Sequence, residues 1–170
     1  MIVVRPLLQW NADPRDAVLE NFGSMLRVVR VGAGQSSYIL VSDRNPHVRD
    51  YLRRELIQEG YHVYEAKDGQ EVVRLVASGR PLDLLVLDPE MPYFSPVDIV
   101  SRLKAHHAFV PIVVHAFDVE DINRTLIGLA DAVVEKQGDN IDRFKQVIAE
   151  LLHLRQGRFS TPEADGAAWS

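Results

Sequence analysis

At 170 residues the chain is long enough for one ordinary domain with extensions and a sizeable core. Hydrophobic residues make up 46% and charged residues 25%, which argues against wholesale disorder, and a net charge of −5 leaves no basic excess for nonspecific nucleic-acid binding. Without cysteine, disulfides, thiolate zinc sites and a cysteine nucleophile are excluded, and with no span-length apolar run or signal-peptide layout a soluble cytoplasmic protein is expected.

Residues 1–36 read as an N-terminal extension of uncertain structure. Within it, Asp13 is a good N-cap, with Pro14 at the first helical position and Asp16 at the third. Ala17, Val18, Leu19 and Phe22 could then form an apolar face, whereas Leu26 to Val31 alternates like an edge strand. This apolar surface must be covered by the main domain or by a second copy. Gly32-Ala33-Gly34 invites a dinucleotide-binding reading, but a strand follows instead of a helix and Ser37 stands at the third glycine. The segment reads as a linker.

From Tyr38 the pattern becomes regular. Tyr38 to Ser42 is a short apolar strand ending at Asp43. Pro46 to Glu59 is helical, with Val48, Leu52 and Leu56 on its apolar side and Gly60 as its stop. A strand over Tyr61 to Glu65 leads through Lys67-Asp68-Gly69 into a helix closed by Gly79. Leu84 to Leu87 is a run of four apolar residues, the pattern of a strand buried on both faces. It ends at Asp88, and Pro89 and Pro92 then force a loop. A helix over Val97 to His106, a strand over Val110 to His115 and a helix over Asp118 to Leu129 follow. A short strand over Asp131 to Val134 precedes a final amphipathic helix from Asp139 to about Arg155. Residues 157–170 read as a flexible tail, leaving 37–156 as the domain.

Five strands alternating with five helices imply an α/β fold, a parallel sheet with right-handed crossovers and helices on both faces. In such sheets ligands and chemistry gather at the carboxyl ends of the strands, which makes Asp88 a site candidate. The plain alternative is an Asp that caps the next turn. His106-His107 reads as a helix C-terminal cap pair rather than a metal site, and His115 as a neutral packed histidine.

Four stretches at these positions together resemble the receiver domain of bacterial response regulators. Ile39 to Pro46 resembles its first strand and acidic pair, and Glu65 to Gly69 the turn after its second strand. Asp88-Pro89-Glu90-Met91-Pro92 is similar to its phosphoacceptor loop, and Ala130 through Lys136 to its fifth strand with a lysine. The resemblance implies a flavodoxin-like doubly wound sheet of order 2-1-3-4-5. It implies that Asp88 accepts a phosphoryl group, that Lys136 binds the phosphate, and that Asp43, Asp88 and the carbonyl of Glu90 hold magnesium.

Several positions depart from that pattern. Arg44 replaces one of the two metal-holding carboxylates, Ala116 the switch hydroxyl and Val133 the switch aromatic. Gln137 replaces a proline, and Tyr93-Phe94-Ser95-Pro96 a glycine-containing loop whose aromatics could anchor a partner. A cation in place of a carboxylate repels a divalent ion by several kcal/mol at close range, and could instead pair bidentately with Asp88. The expected function is therefore that of an atypical receiver, acting through protein–protein contacts with little or no phosphorylation dependence. It is not an enzyme beyond at most self-catalysed aspartyl phosphorylation. The alternative is a weakly active, magnesium-dependent phosphoacceptor served by a histidine kinase. No cofactor is expected, save magnesium if its binding survives Arg44. The partner is a protein (effector, histidine kinase or dimer mate), not nucleic acid or membrane.

Overall fold

The computed structural model describes residues 3–4, 37–93, 95–107, 109–136 and 141–157. A two-residue strand β1 (Val3–Val4) is followed by β2 (Tyr38–Ser42), α1 (Pro46–Gln58), β3 (His62–Ala66), α2 (Gly69–Ala77) and β4 (Leu84–Leu87). Then come α3 (Pro96–His106), β5 (Ile112–Ala116), α4 (Arg124–Leu129), β6 (Ala132–Glu135) and α5 (Ile141–Gly157). The sheet order is β1-β6-β5-β4-β2-β3. Strands β2 to β6 are all parallel, and counted among themselves they run 2-1-3-4-5, as expected.

The period-2 alternation of the strands sorts their side chains into two cores. Leu85 and Leu87 of β4 join Leu40, Val114 and Val133 in a cluster with α2, α3 and α4. Leu84 and Val86 join Ile39, Val41 and Val113 in a cluster with α1 and α5, where Phe144 and Ile148 sit. Burial on both faces is why the central strand reads as an unbroken apolar run.

Local signals set the helix ends. Asn45 accepts the N–H of His47 at 2.9 Å with Pro46 opening α1, and Gly60, at φ +91°, follows the helix's end. Asp68 accepts the N–H of Glu71 at 2.8 Å, while the Glu71 carboxylate accepts the N–H of Lys67 at 2.9 Å. This reciprocal cap is similar to a capping box. Replacing Asp68 with alanine should therefore cost about 1 kcal/mol, checked as a lower thermal midpoint with an unchanged fold by circular dichroism.

Two expectations change. The helix expected from Asp118 starts only at Arg124. Asp118 accepts the N–H of Glu120 at 2.8 Å, and Asn123 caps the helix by accepting the N–H of Thr125 at 2.8 Å. Such short polar side chains offer the backbone local bonds that compete with helix. The extension also contributes to the sheet: Val3 and Val4 pair antiparallel with Val133 and Ala132 at the β6 edge. The expected helix from Asp13, the alternating stretch 26–31 and residues 158–170 lie outside the described residues. Gly157, assigned above to the tail, is the last residue of α5.

Candidate functional site

The carboxyl ends of β2, β4, β5 and β6 meet because the order of the strands makes each a neighbour of the next. Past the ladders, the chain is still tied strand to strand. The Asp88 N–H donates to the Ser42 carbonyl at 2.9 Å, and the Lys136 N–H to the Ala116 carbonyl at 2.7 Å. The Ser42 hydroxyl donates to the Val86 carbonyl at 2.7 Å, fixing β2 on β4 directly beneath the site. Two carboxylates and an ammonium are thereby driven together.

Asp43 and Asp88 are each 1% exposed. The Asp43 Oδ1 accepts the N–H of Asn45 at 2.8 Å. Asp88 accepts two backbone N–H groups, from Glu90 at 3.0 Å on Oδ1 and from Arg44 at 3.3 Å on Oδ2. Lys136 Nζ lies 2.7 Å from Asp43 Oδ2 and 3.4 Å from Asp88 Oδ1. The nearer contact is a close ion pair, and among the described residues Asp43 Oδ2 has no further hydrogen-bond partner. Burial pushes the Asp43 carboxyl above its usual range, against the pull of Lys136 and the Asn45 N–H, and the charge of Asp88 adds to the rise.

Arg44 approaches from the rim, its side chain about half exposed. Its guanidinium pairs with the Glu90 carboxylate, and only Nε reaches toward Asp88, 3.9 Å from Oδ2. The bidentate Arg44–Asp88 clamp suggested by the sequence is therefore not formed. The planar fork has turned outward, because Asp88 already has two N–H donors and Lys136, while Glu90 at the surface has an open carboxylate.

The other positions fall as follows. Ala116 ends β5 and is buried, offering no hydroxyl, and Val133 is a core residue of β6. Tyr93 is 75% exposed and holds φ at +74°, a left-handed conformation unusual for an aromatic residue, whereas Phe94 lies outside the described residues. His107 caps α3, and its ring Nε2 lies 3.1 Å from the Val76 carbonyl. His115 is buried against Phe144, ring centroids 5.0 Å apart, with its Nδ1 lacking a hydrogen bond. Its pKa is lowered to about 3, by burial first and then by Lys136, against a smaller opposing pull from Asp88.

Two residues at the site escaped the sequence reading. Arg49 donates to the Asp43 carbonyl at 2.7 Å and ties α1 to the acidic loop. Phe117 places its ring centroid 5.0 Å from Lys136 Nζ. A bulky aromatic immediately after Ala116, where a strand gives way to polar loop residues, was the available signal.

The donors for a hard divalent cation are Asp43, Asp88 and the Glu90 carbonyl, and the residues present do not fit one. Among the described residues no three His, Asp or Glu side chains converge as a metal cage. Asp43 Oδ2 faces an ammonium at 2.7 Å, and a guanidinium stands beside Asp88. Lys136 already pairs with both buried carboxylates, so a dication at this site would have to displace its ammonium.

Comparison with known proteins bears on the fold and the family. A family model described as the response regulator receiver domain matches residues 39–149. The chain is 42% identical over 76 residues to the response regulator MprA of Mycolicibacterium vanbaalenii, covering 45% of this chain and 32% of that protein. It is similar to the response regulator TrrA of Thermotoga maritima, solved in complex with Mg2+ and BeF, at 30% identity and TM-score 0.62, covering 68% of this chain and 98% of that one. The complex of TrrA with the histidine kinase ThkA matches at 29% identity and TM-score 0.60, covering 68% and 98%. The chain thus spans about a third of the length of MprA.

Proposed function

We propose, for a chain that belongs to the response regulator receiver domain family, a receiver of two-component signalling whose acceptor aspartate is held by the protein's own cations. The receiver unit is residues 37–157, the last of them ending α5, with Val3 and Val4 added at the β6 edge. The observation that carries this reading is the Lys136 ammonium, 2.7 Å from Asp43 and 3.4 Å from Asp88, with Arg44 standing where a second metal-binding carboxylate would be. Asp88 is the acceptor position and Lys136 its cation. The Arg44–Glu90 pair fastens the rim on its exposed side, where screening limits its strength.

Ala116 and Val133 support the same reading from the output side. A receiver that reports phosphorylation needs a group to follow the phosphate inward, and neither side chain has a hydroxyl or an aromatic ring to do so. Signalling then rests on a protein partner that recognises one standing conformation. A histidine kinase, the partner of TrrA in its complex, is one such protein, and an effector or a second copy are the others. Among the described residues no helix is long and apolar enough to cross a membrane.

Intact mass after incubation with Mg2+ and acetyl phosphate tests this, with Asp88→Asn as control. No added phosphoryl group is expected on the native chain. One addition, lost in Asp88→Asn, would overturn the reading in favour of a working phosphoacceptor. Arg44→Asp should gain Mg2+-dependent labelling, since it removes the guanidinium and restores the second carboxylate.

A further inference from the structure

We propose that Phe117 is a lid on Lys136, its ring closing the solvent side of the ammonium, holding it on Asp43 and so shutting the Asp43–Asp88 pair away from small phosphoryl donors. The inference rests on the closed-site reading above and adds the element that does the closing. Lys136 directly follows β6 at the mouth of the site, where a lysine without partners would reach into water. Its side chain is nevertheless only 5% exposed, while Phe117 is 60% exposed. Of the two, the ring is the one against solvent, and its centroid lies 5.0 Å from Nζ, inside cation–π range.

The backbone holds the ring in place from both sides. The Ala116 carbonyl, one residue before Phe117, accepts the Lys136 N–H at 2.7 Å, so lid and lysine are anchored to each other. One residue after, Asp118 closes its turn onto the Glu120 N–H at 2.8 Å. Ala116 contributes by being small and apolar, with no polar group to compete for the ammonium. The face of an aromatic ring is electron-rich, so it covers a cation without taking its charge, which a leucine of similar bulk would not match. Phe117 is thus a positioning residue for Lys136.

The test is acylation of lysines in the full chain by N-hydroxysuccinimidyl acetate, read at each site by peptide mass spectrometry. Phe117→Ala should raise the rate at Lys136 by about tenfold and Phe117→Leu by roughly threefold, with Phe117→Trp close to the native rate. Lys67, whose side chain is 63% exposed, is the internal control and should label equally in all four proteins. Equal Lys136 rates in the native chain and Phe117→Ala would overturn the lid, and full protection by leucine would overturn the role of the ring. Because Phe117 is 60% exposed, these variants are expected to fold, and an unchanged thermal midpoint by circular dichroism checks that they do. Phosphoryl transfer to Asp88 is read separately by intact mass, so failure of the closed-site reading is distinguishable from failure of the lid.

Discussion

Replacing Lys136 by methionine is expected to destabilise the fold by about 3–5 kcal/mol, because it leaves two buried carboxylates without their shared cation. Asp43 and Asp88 are each 1% exposed, so water cannot take over from the ammonium as it would at the surface. Arg44 cannot replace it, since its guanidinium is committed to Glu90 and reaches Asp88 only through Nε at 3.9 Å. The loss should appear as a lower urea midpoint at an unchanged slope. Its pH dependence has a definite sign. Burial already raises the Asp43 pKa, so the folded chain holds a proton that the unfolded chain has released, and stability falls as pH rises from 3.8 through the folded value. Without Lys136 that window widens upward, and the variant should recover stability on mild acidification. Adding Asp43→Asn to Lys136→Met should restore most of the loss at neutral pH. Native stability in Lys136→Met alone would mean that the buried carboxylates are not held by charge.

The sheet was legible in the sequence because its signals are local and repeated. Four apolar residues at Leu84–Leu87, Pro46 after Asn45, and the stops at Gly60 and Gly79 each report backbone geometry without needing a partner. The site's composition was legible for a different reason: strand order sets the ends of β2 and β4 side by side with β6 beyond β5, close enough for a long lysine side chain to bring Lys136 to Asp43 and Asp88. What failed were choices between competing partners. Arg44 had both Asp88 and Glu90 within reach, and sequence spacing cannot say which carboxylate is already satisfied by backbone N–H groups. Asp118 had a helix to start or a turn to close, and the turn prevailed. The β1 pairing at the β6 edge joins positions about 130 apart in sequence through two residues, too short a run to carry a strand signal of its own.

Replacing His115 by leucine is expected to make the protein markedly more resistant to acid. The histidine is 8% exposed, packed on Phe144 and without a hydrogen bond on Nδ1, so its protonated form has little solvation to draw on. Lys136 opposes that proton further, and Asp88 favours it only in part, leaving a pKa of about 3 against 6.5 for an ordinary histidine. Between those two values the unfolded chain binds the extra proton and the folded chain does not. Stability therefore rises with pH across the window, is complete above 6.5, and is lost as pH falls toward 3. The full span corresponds to roughly 4–5 kcal/mol, and at pH 4 to about 3 kcal/mol. The burial of the ring means that solvent screening takes little from this figure. Leucine keeps the apolar bulk against Phe144 and removes both the titration and the orphaned nitrogen. Urea unfolding at pH 7.5 should then give similar stabilities for native and variant chains, while at pH 4 the variant should be more stable by about 3 kcal/mol. Parallel stability profiles for the two proteins from pH 7.5 to 4 would show that His115 reaches water or a partner when it takes up its proton. The buried ring would then not be what makes this receiver acid-sensitive.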